Sequence, residues 1–274
     1  MLYIAGFFPR THPAPLARHA RMDLHLHGKV ALVTGGSRGL GRAISLGLAA
    51  EGARVAVSYR RGEAAAAEVV ETMAACHHVR GISLQGDVSQ SADIARLFDQ
   101  CEKRLGPVDI LVNNAGVWPT AYVKDLSEEE WDATFAINLK GAFLMCREAV
   151  RRWLAARRGG RIVNISTQAA FLGSTTGHAH YAASKAGLVN FTVSLAREVA
   201  RAGIYVNSVA PGMMRTDMAR EALEESEQEY IRRTPLGRIA EPEEIADTVV
   251  FLASDRASYT TGATFDATGG MLMR

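Results

Sequence analysis

Cysteine is scarce in this 274-residue chain: Cys76, Cys101 and Cys146 are the only three, far apart and without a CxxC pair. That excludes a disulfide framework. The absence of any His/Cys cluster at ligand spacing excludes a zinc module, so no metal is expected. An excess of one charge is also missing. Lys plus Arg number 31 and Asp plus Glu 29, a net charge of +2, which gives no electrostatic case for a nucleic-acid or membrane-surface partner. No apolar run approaches the ~20 residues that span a bilayer. The apolar start, residues 2–8, lacks a basic leading region and a cleavage site, so neither export nor membrane insertion is expected, and a reducing cytoplasm fits the thiols. With 48% hydrophobic and 22% charged residues, the bulk of the chain has ordinary globular composition and enough length for a sizeable core.

Residues 1–27 stand apart. They hold three of the eight prolines and four of the eight histidines, without periodicity, and read as a poorly ordered N-terminal extension. Met22 within it is a candidate start codon. From residue 28 onward the pattern alternates. Strand-like runs at 30–33, 54–58, 81–85, 108–112, 161–165, 204–209 and 263–267 are separated by helical stretches at 43–50, 63–75, 94–105, 128–157 (one long or broken stretch), 181–201 and 243–253. Such alternation needs right-handed crossovers and a parallel sheet covered on both faces. The expected fold is therefore α/β: one doubly wound, Rossmann-type domain over 28–274 with a parallel sheet of about seven strands. Residues 213–238 interrupt the rhythm. Their run of acids (Glu221, Glu224, Glu225, Glu227, Glu229) reads either as a solvated helix face or as a substrate lid leaving a strand's carboxyl end.

The first strand runs into Thr34-Gly35-Gly36-Ser37-Arg38-Gly39-Leu40-Gly41 and then a helix. Glycines there allow a tight turn and let backbone N–H groups approach a pyrophosphate at the positive end of the helix. A purely structural glycine turn is the alternative. The second strand reports the dinucleotide. An acid there would bind the ribose hydroxyls of NAD, whereas arginine suits the 2′-phosphate of NADP. The chain reads Ser58-Tyr59-Arg60-Arg61, with Arg38 in the turn itself. NADP(H) is preferred on this ground and NAD(H) stays possible, since Arg60 and Arg61 also read as simply solvated.

Tyr181 and Lys185 stand four apart at the start of a helix, so phenol and ammonium share a face. A free tyrosine with pKa ~10 is a poor acid–base at neutral pH. A nearby cation would lower that value toward the working range. Tyr-x-x-x-Lys alone is frequent by chance; downstream of a dinucleotide turn it gains weight.

Together with Asp87-Val88, Asn113-Asn114-Ala115-Gly116, Asn138 in Asn-Leu-Lys-Gly, and Pro211-Gly212 with Thr216, these pieces make residues 29–270 resemble the short-chain dehydrogenase/reductase family. The nearest resemblance is to 3-oxoacyl-[acyl-carrier-protein] reductases. The resemblance implies interconversion of a ketone and a secondary alcohol by hydride transfer. Tyr181 would be the proton donor, and Lys185 would bind the nicotinamide ribose. Asn138 would hold a water in the proton relay. The cofactor would lie along Gly35, Ser37, Arg38, Gly39, Leu40, Gly41, Tyr59, Arg60, Arg61, Asp87, Val88, Asn114, Ala115 and Gly116. Pro211, Gly212, Met214 and Thr216 would stand at its nicotinamide end. A homotetramer or homodimer is implied, with the 128–157 and 181–201 helices in an interface. The fourth catalytic hydroxyl departs from the family pattern. In Asn164-Ile165-Ser166-Thr167 it falls on Thr167 by register, with Ser166 the fallback, and the spacing to Tyr181 is one residue longer than the family's. Threonine's methyl would narrow the pocket.

Three nearby groups stay ambiguous. His178 and His180 precede Tyr181 and either modulate the phenol or are solvated. Trp118 either lines the substrate mouth or packs under its loop, and Trp131 is expected in the core. The rival functions are an NAD-dependent polyol or hydroxysteroid dehydrogenase and a catalytically silent dinucleotide sensor.

Overall fold

The computed structural model describes residues 22–273. Seven parallel strands form one sheet in the order β3-β2-β1-β4-β5-β6-β7. They are β1 (Val30–Thr34), β2 (Arg54–Tyr59), β3 (Gly81–Gln85), β4 (Ile110–Asn113), β5 (Gly160–Ile165), β6 (Ile204–Pro211) and β7 (Thr264–Ala267). The helices are α1 (Gly39–Ala50), α2 (Glu63–His77), α3 (Ser91–Leu105), α4 (Glu128–Phe135), α5 (Ala142–Ala155), the short α6 (Ala169–Leu172), α7 (Ala179–Val199), α8 (Arg220–Arg233) and α9 (Pro242–Leu252).

The central strands are near-continuous apolar runs because both their faces are covered. Side chains alternate across β1. Ala31 and Val33 join Val55, Val57, Ile44, Leu48, Val69 and Val249 under α1, α2 and α9. Val30 and Leu32 join Ala56, Leu97, Phe98, Met145, Trp153 and Leu195 under α3, α5 and α7. At the centre the order reverses: β1 is flanked by β2 and β4. The two crossovers leave in opposite directions there, opening a crevice at the strands' carboxyl ends.

Two readings change, and the one left open at 128–157 is resolved. The 128–157 stretch is broken: α4 and α5 are joined by a π-helical turn, Ala136–Gly141, that carries Asn138. Such turns interrupt the regular ladder and are common at functional sites. Trp131 is 40% exposed and stacks on Phe135 instead of entering the core, because the outer face of α4 has no covering element among the described residues. Of the extension expected over 1–27, residues 1–21 lie outside the described residues. The rest packs on the domain: Leu26 is buried in the α1–α9 core and Arg256 Nε donates to the Asp23 carbonyl (2.7 Å). Among the described residues no helix is long and apolar enough to cross a membrane, and no cluster of ligating side chains forms a metal site.

Candidate active site

β1 delivers the glycine turn to the crevice. Arg38 caps α1 without a side-chain hydrogen bond, and no acid occupies the helix's first turn. The leading N–H groups of α1 therefore keep their electropositive character. Gly35 and Gly39 have φ of +63° and +50°, where glycine is favoured. Gly41 is required by close approach: a Cβ there would lie 2.1 Å from the Gly35 oxygen and 2.5 Å from Asn114 Nδ2. Asn114 braces the turn, its Nδ2 donating to the carbonyls of Thr34 and Gly35 (3.0 Å each). Thr34 Oγ1 accepts from the N–H groups of Asn114 and Ala115 (3.0 Å each). The first two switch-point strands are thus tied by a threonine that composition and spacing did not single out. Ser37 and Leu40 are buried beneath the turn, and Arg38 is exposed. The turn fits a dinucleotide: its backbone is held open by residues without Cβ atoms, and its helix end lacks a side chain that would compete with phosphate.

At the end of β2, Tyr59 is buried and Arg60 and Arg61 are exposed. Arg60 reaches Asp87 across the crevice (3.6 Å). Burial works against the Asp87 carboxylate, but hydrogen bonds from Ser89 N–H and Oγ–H, with Arg60, hold it below the usual range. Val88 packs at the π-helical turn, 3.0 Å from where a Gly141 Cβ would be.

β5 and α7 bring the acid–base candidates together. Lys185 is buried and its Nζ donates to the Ile165 carbonyl (2.7 Å). Burial brings this ammonium down to about 8. Tyr181 is half-buried; burial pushes its phenol up, and a hydrogen bond from Thr167 opposes that. The sequence suggested a phenol lowered by Lys185. Here desolvation by burial is the larger effect. Gly116 lets the loop after β4 pass close to both groups: a Cβ would lie 3.2 Å from Asn138 Oδ1 and 3.5 Å from Lys185 Nζ. The two candidate hydroxyls separate. Thr167 stands close enough to the Tyr181 phenol to favour its ionised form, whereas Ser166 is buried and its Oγ donates to the Lys185 carbonyl (3.2 Å).

Asn138 is buried in the π-helical turn. Its Oδ1 accepts from Val117 N–H (2.9 Å), and its Nδ2 donates to the Val117 carbonyl (3.0 Å) and Ser184 Oγ (3.2 Å). Ser184 Oγ in turn donates to the Tyr181 carbonyl (2.7 Å). Both amide hydrogens are committed, so this side chain clamps the β4 loop to α7. Ser184 was overlooked in the sequence, although its place three residues after Tyr181 put it on the adjoining helical face.

The far side of the crevice comes from β6. Pro211 accepts from Gln168 N–H and Gly212 N–H donates to Ala267, each at 3.0 Å. Met214 bridges to Ala240. The Thr216 methyl lies 3.4 Å from the Cβ position of Gly39, so this segment meets the glycine turn. A cleft of about 450 Å³ between them is lined by Gly39, Thr216, Arg220 and Glu224 on α8. His178 is buried against Trp118, and His180 is fully buried, which rules out the solvated reading of both.

Comparisons with known proteins agree with this architecture. The family model described as enoyl-(acyl carrier protein) reductase matches residues 35–272. The chain is 40% identical over 250 residues to a 3-oxoacyl-[acyl-carrier-protein] reductase of Aquifex aeolicus, covering 91% of this chain and all of that protein. It is 40% identical over 249 residues to the Synechocystis protein of the same name, covering 90% and 98%. A short-chain type dehydrogenase/reductase from Mycobacterium marinum superposes with TM-score 0.88 at 32% identity over 92% of this chain and 98% of that one. A putative short-chain alcohol dehydrogenase from Sinorhizobium meliloti gives 0.86 at 37% over 91% and 98%. The chain belongs to the short-chain dehydrogenase/reductase family and is an oxidoreductase acting on the C=O/CH–OH couple.

Proposed function

We propose that the protein is an NADPH-dependent reductase of a 3-oxoacyl thioester. The observation that carries this reading is the convergence of Tyr181, Thr167 and Lys185 beside a glycine turn tied to β4. The dinucleotide supplies the hydride. The ketone oxygen accepts hydrogen bonds from Tyr181 Oη and Thr167 Oγ1. On reduction of the carbonyl carbon, Tyr181 would pass its phenolic proton to that oxygen, giving the secondary alcohol. A phenol pushed up by burial is protonated at neutral pH, which suits it to donate. Lys185, held by Ile165, presents its charge to the nicotinamide ribose and to the phenolate left behind. Asn138 and Ser184 fix the height of α7 against the loop after β4, and the relay that returns the proton runs past them.

The turn Gly35, Ser37, Gly39, Leu40 and Gly41 would hold the phosphates. Asp87 and Val88, with Tyr59, would take the adenine, and Asn114, Ala115 and Gly116 the adenosine side. Pro211, Gly212, Met214 and Thr216 would hold the nicotinamide end. Arg38, Arg60 and Arg61 supply guanidinium forks for a 2′-phosphate, and no acid stands at the end of β2 to select the unphosphorylated ribose. We assign residues 213–238 as the substrate lid and residues 28–274 as the catalytic domain.

Trp131, Phe143 and Leu154 are 40%, 39% and 50% exposed along α4 and α5. That uncovered apolar face supports a homo-oligomer, a tetramer or dimer, joined through α4, α5 and α7. The buried Cys101 and Cys146 thiols, each pushed up to about 12 by burial, are inert and suit a reducing cytoplasm.

The test is steady-state turnover of acetoacetyl thioester with NADPH and with NADH. The proposal expects NADPH oxidation with kcat/KM at least about tenfold above that with NADH. NADPH binding without turnover of any thioester or ketone would instead identify a dinucleotide sensor. Preference for NADH with secondary-alcohol oxidation would identify a dehydrogenase working in the other direction.

A further inference from the structure

Two loops flank Tyr181, one leaving β4 and one leaving β5, and they are fastened together. Ala121 N–H donates to the Gly177 carbonyl (2.8 Å). His178 Nδ1 lies 2.9 Å from the Pro119 carbonyl. A carbonyl only accepts, so Nδ1 carries the proton. Gly177, at φ +77°, makes the fit possible, since a Cβ there would come 3.1 Å from the Thr120 methyl. The Trp118 and His178 rings are in tilted contact, with centroids 4.5 Å apart and planes at 33°, and the indole centroid stands 6.3 Å from the Tyr181 ring. His178 is buried and opens directly into α7. The indole is therefore backed by a buried imidazole, which is itself pinned to the indole's own loop.

We infer that Trp118 and His178 form a fixed end wall that restricts the ketone's acyl arm to short chains. The inference rests on the 3-oxoacyl thioester reading above. A ketone held by Tyr181 and Thr167 has two arms. The thioester arm leads to a large carrier and must leave through an open side. α8 offers that side, since none of its 14 residues is buried. A second side, beside Tyr181, is bounded by the loops that the Ala121–Gly177 and His178–Pro119 hydrogen bonds fasten, with the indole in front. The acyl arm points there. A terminal methyl packs against the indole, whereas a chain of several more methylenes meets a wall whose movement would break both hydrogen bonds and the ring contact.

The experiment measures kcat/KM with NADPH for acetoacetyl-CoA and 3-oxodecanoyl-CoA, using the full chain and its Trp118→Ala and Trp118→Phe variants. Melting temperature and NADPH affinity are followed in parallel. The wild type is expected to favour acetoacetyl-CoA by about tenfold or more. Trp118→Ala should bring the ratio toward unity by gaining on the long substrate, with NADPH affinity within about twofold of wild type. Trp118→Phe should fall between. Equal or better use of 3-oxodecanoyl-CoA by the wild type overturns the wall and leaves the thioester reading standing. So does a Trp118→Ala protein that is folded, binds NADPH and keeps the wild-type ratio. Absence of any thioester turnover with NADPH still bound removes the substrate reading and this inference with it.

Discussion

Replacing Gly41 by alanine adds one methyl group at the most crowded point of the dinucleotide turn. The new Cβ would sit 2.1 Å from the Gly35 oxygen and 2.5 Å from Asn114 Nδ2. Relief requires a displacement of about 1 Å between the start of α1 and the turn after β1. Neither neighbour yields cheaply. Gly35 is held at positive φ by the turn, and Asn114 is spent on the Thr34 and Gly35 carbonyls. Overpacking of this kind costs about 1–3 kcal/mol of stability. A 1 Å misplacement of groups that position a ligand costs about 100-fold in function. Gly47→Ala on the same helix is the control. Its Cβ meets only the Val250 Cγ2 methyl, at 3.1 Å, and alanine gains up to ~1 kcal/mol in helix propensity. Differential scanning fluorimetry and titration of NADPH fluorescence read both effects. Gly41→Ala should melt lower and bind NADPH about 100-fold more weakly, with Gly47→Ala close to wild type in both. A Gly41→Ala protein that binds NADPH within about threefold of wild type would refute the assignment of this turn as the phosphate cradle.

Arg60→Ala should raise the KM for NADPH by roughly 10- to 100-fold, the worth of one charge-assisted hydrogen bond, and leave the KM for NADH nearly unchanged in steady-state assays. Ser184→Ala should lower the melting temperature and kcat together, since one Asn138 amide hydrogen loses its acceptor at a cost of about 1–3 kcal/mol; Ser184→Thr should restore part of kcat, and an unchanged kcat in Ser184→Ala would remove the clamp from the account. Lys185 gives a pH signature in the cofactor-free protein. Burial brings it to about 8 in the folded chain, below the ordinary lysine value of 10.5, so the unfolded chain binds the extra proton between those limits. Stability should therefore rise as pH climbs from 8 toward 10, by up to roughly 3 kcal/mol, and denaturant titrations of Lys185→Met should lose that rise.

Much of the fold was legible because its signals are local. The runs from Val30, Arg54, Gly81, Arg161 and Ile204 are apolar enough to mark strands buried on both faces, and the glycines between β1 and α1 mark the first crossover. Helical spacing puts Tyr181 and Lys185 on one face, and only the dinucleotide turn upstream gave that common pattern weight as a candidate pair. What escaped depends on contacts between distant segments. Nothing near Asn138 announces the π-helical turn, which adapts one long helical stretch to the loop after β4. Trp131 reads as core on hydrophobicity, but α4 lies at the edge of the α3–α5–α7 layer and leaves it exposed. Register puts the fourth hydroxyl on Thr167, and what the sequence could not show is that the fallback, Ser166, is spent on the backbone of α7. The raised phenol of Tyr181 reflects burial, which no linear pattern reports.

The most direct measurement compares wild type with Tyr181→Phe in acetoacetyl thioester reduction, with NADPH binding measured on the same preparations. Phenylalanine keeps the ring beside Trp118 and removes only the hydroxyl. The account predicts NADPH affinity within about twofold of wild type and a fall in kcat/KM of about a thousandfold, the scale of general acid catalysis. A variant that binds NADPH and retains more than about a tenth of the wild-type rate would contradict the assignment of Tyr181 as the proton donor.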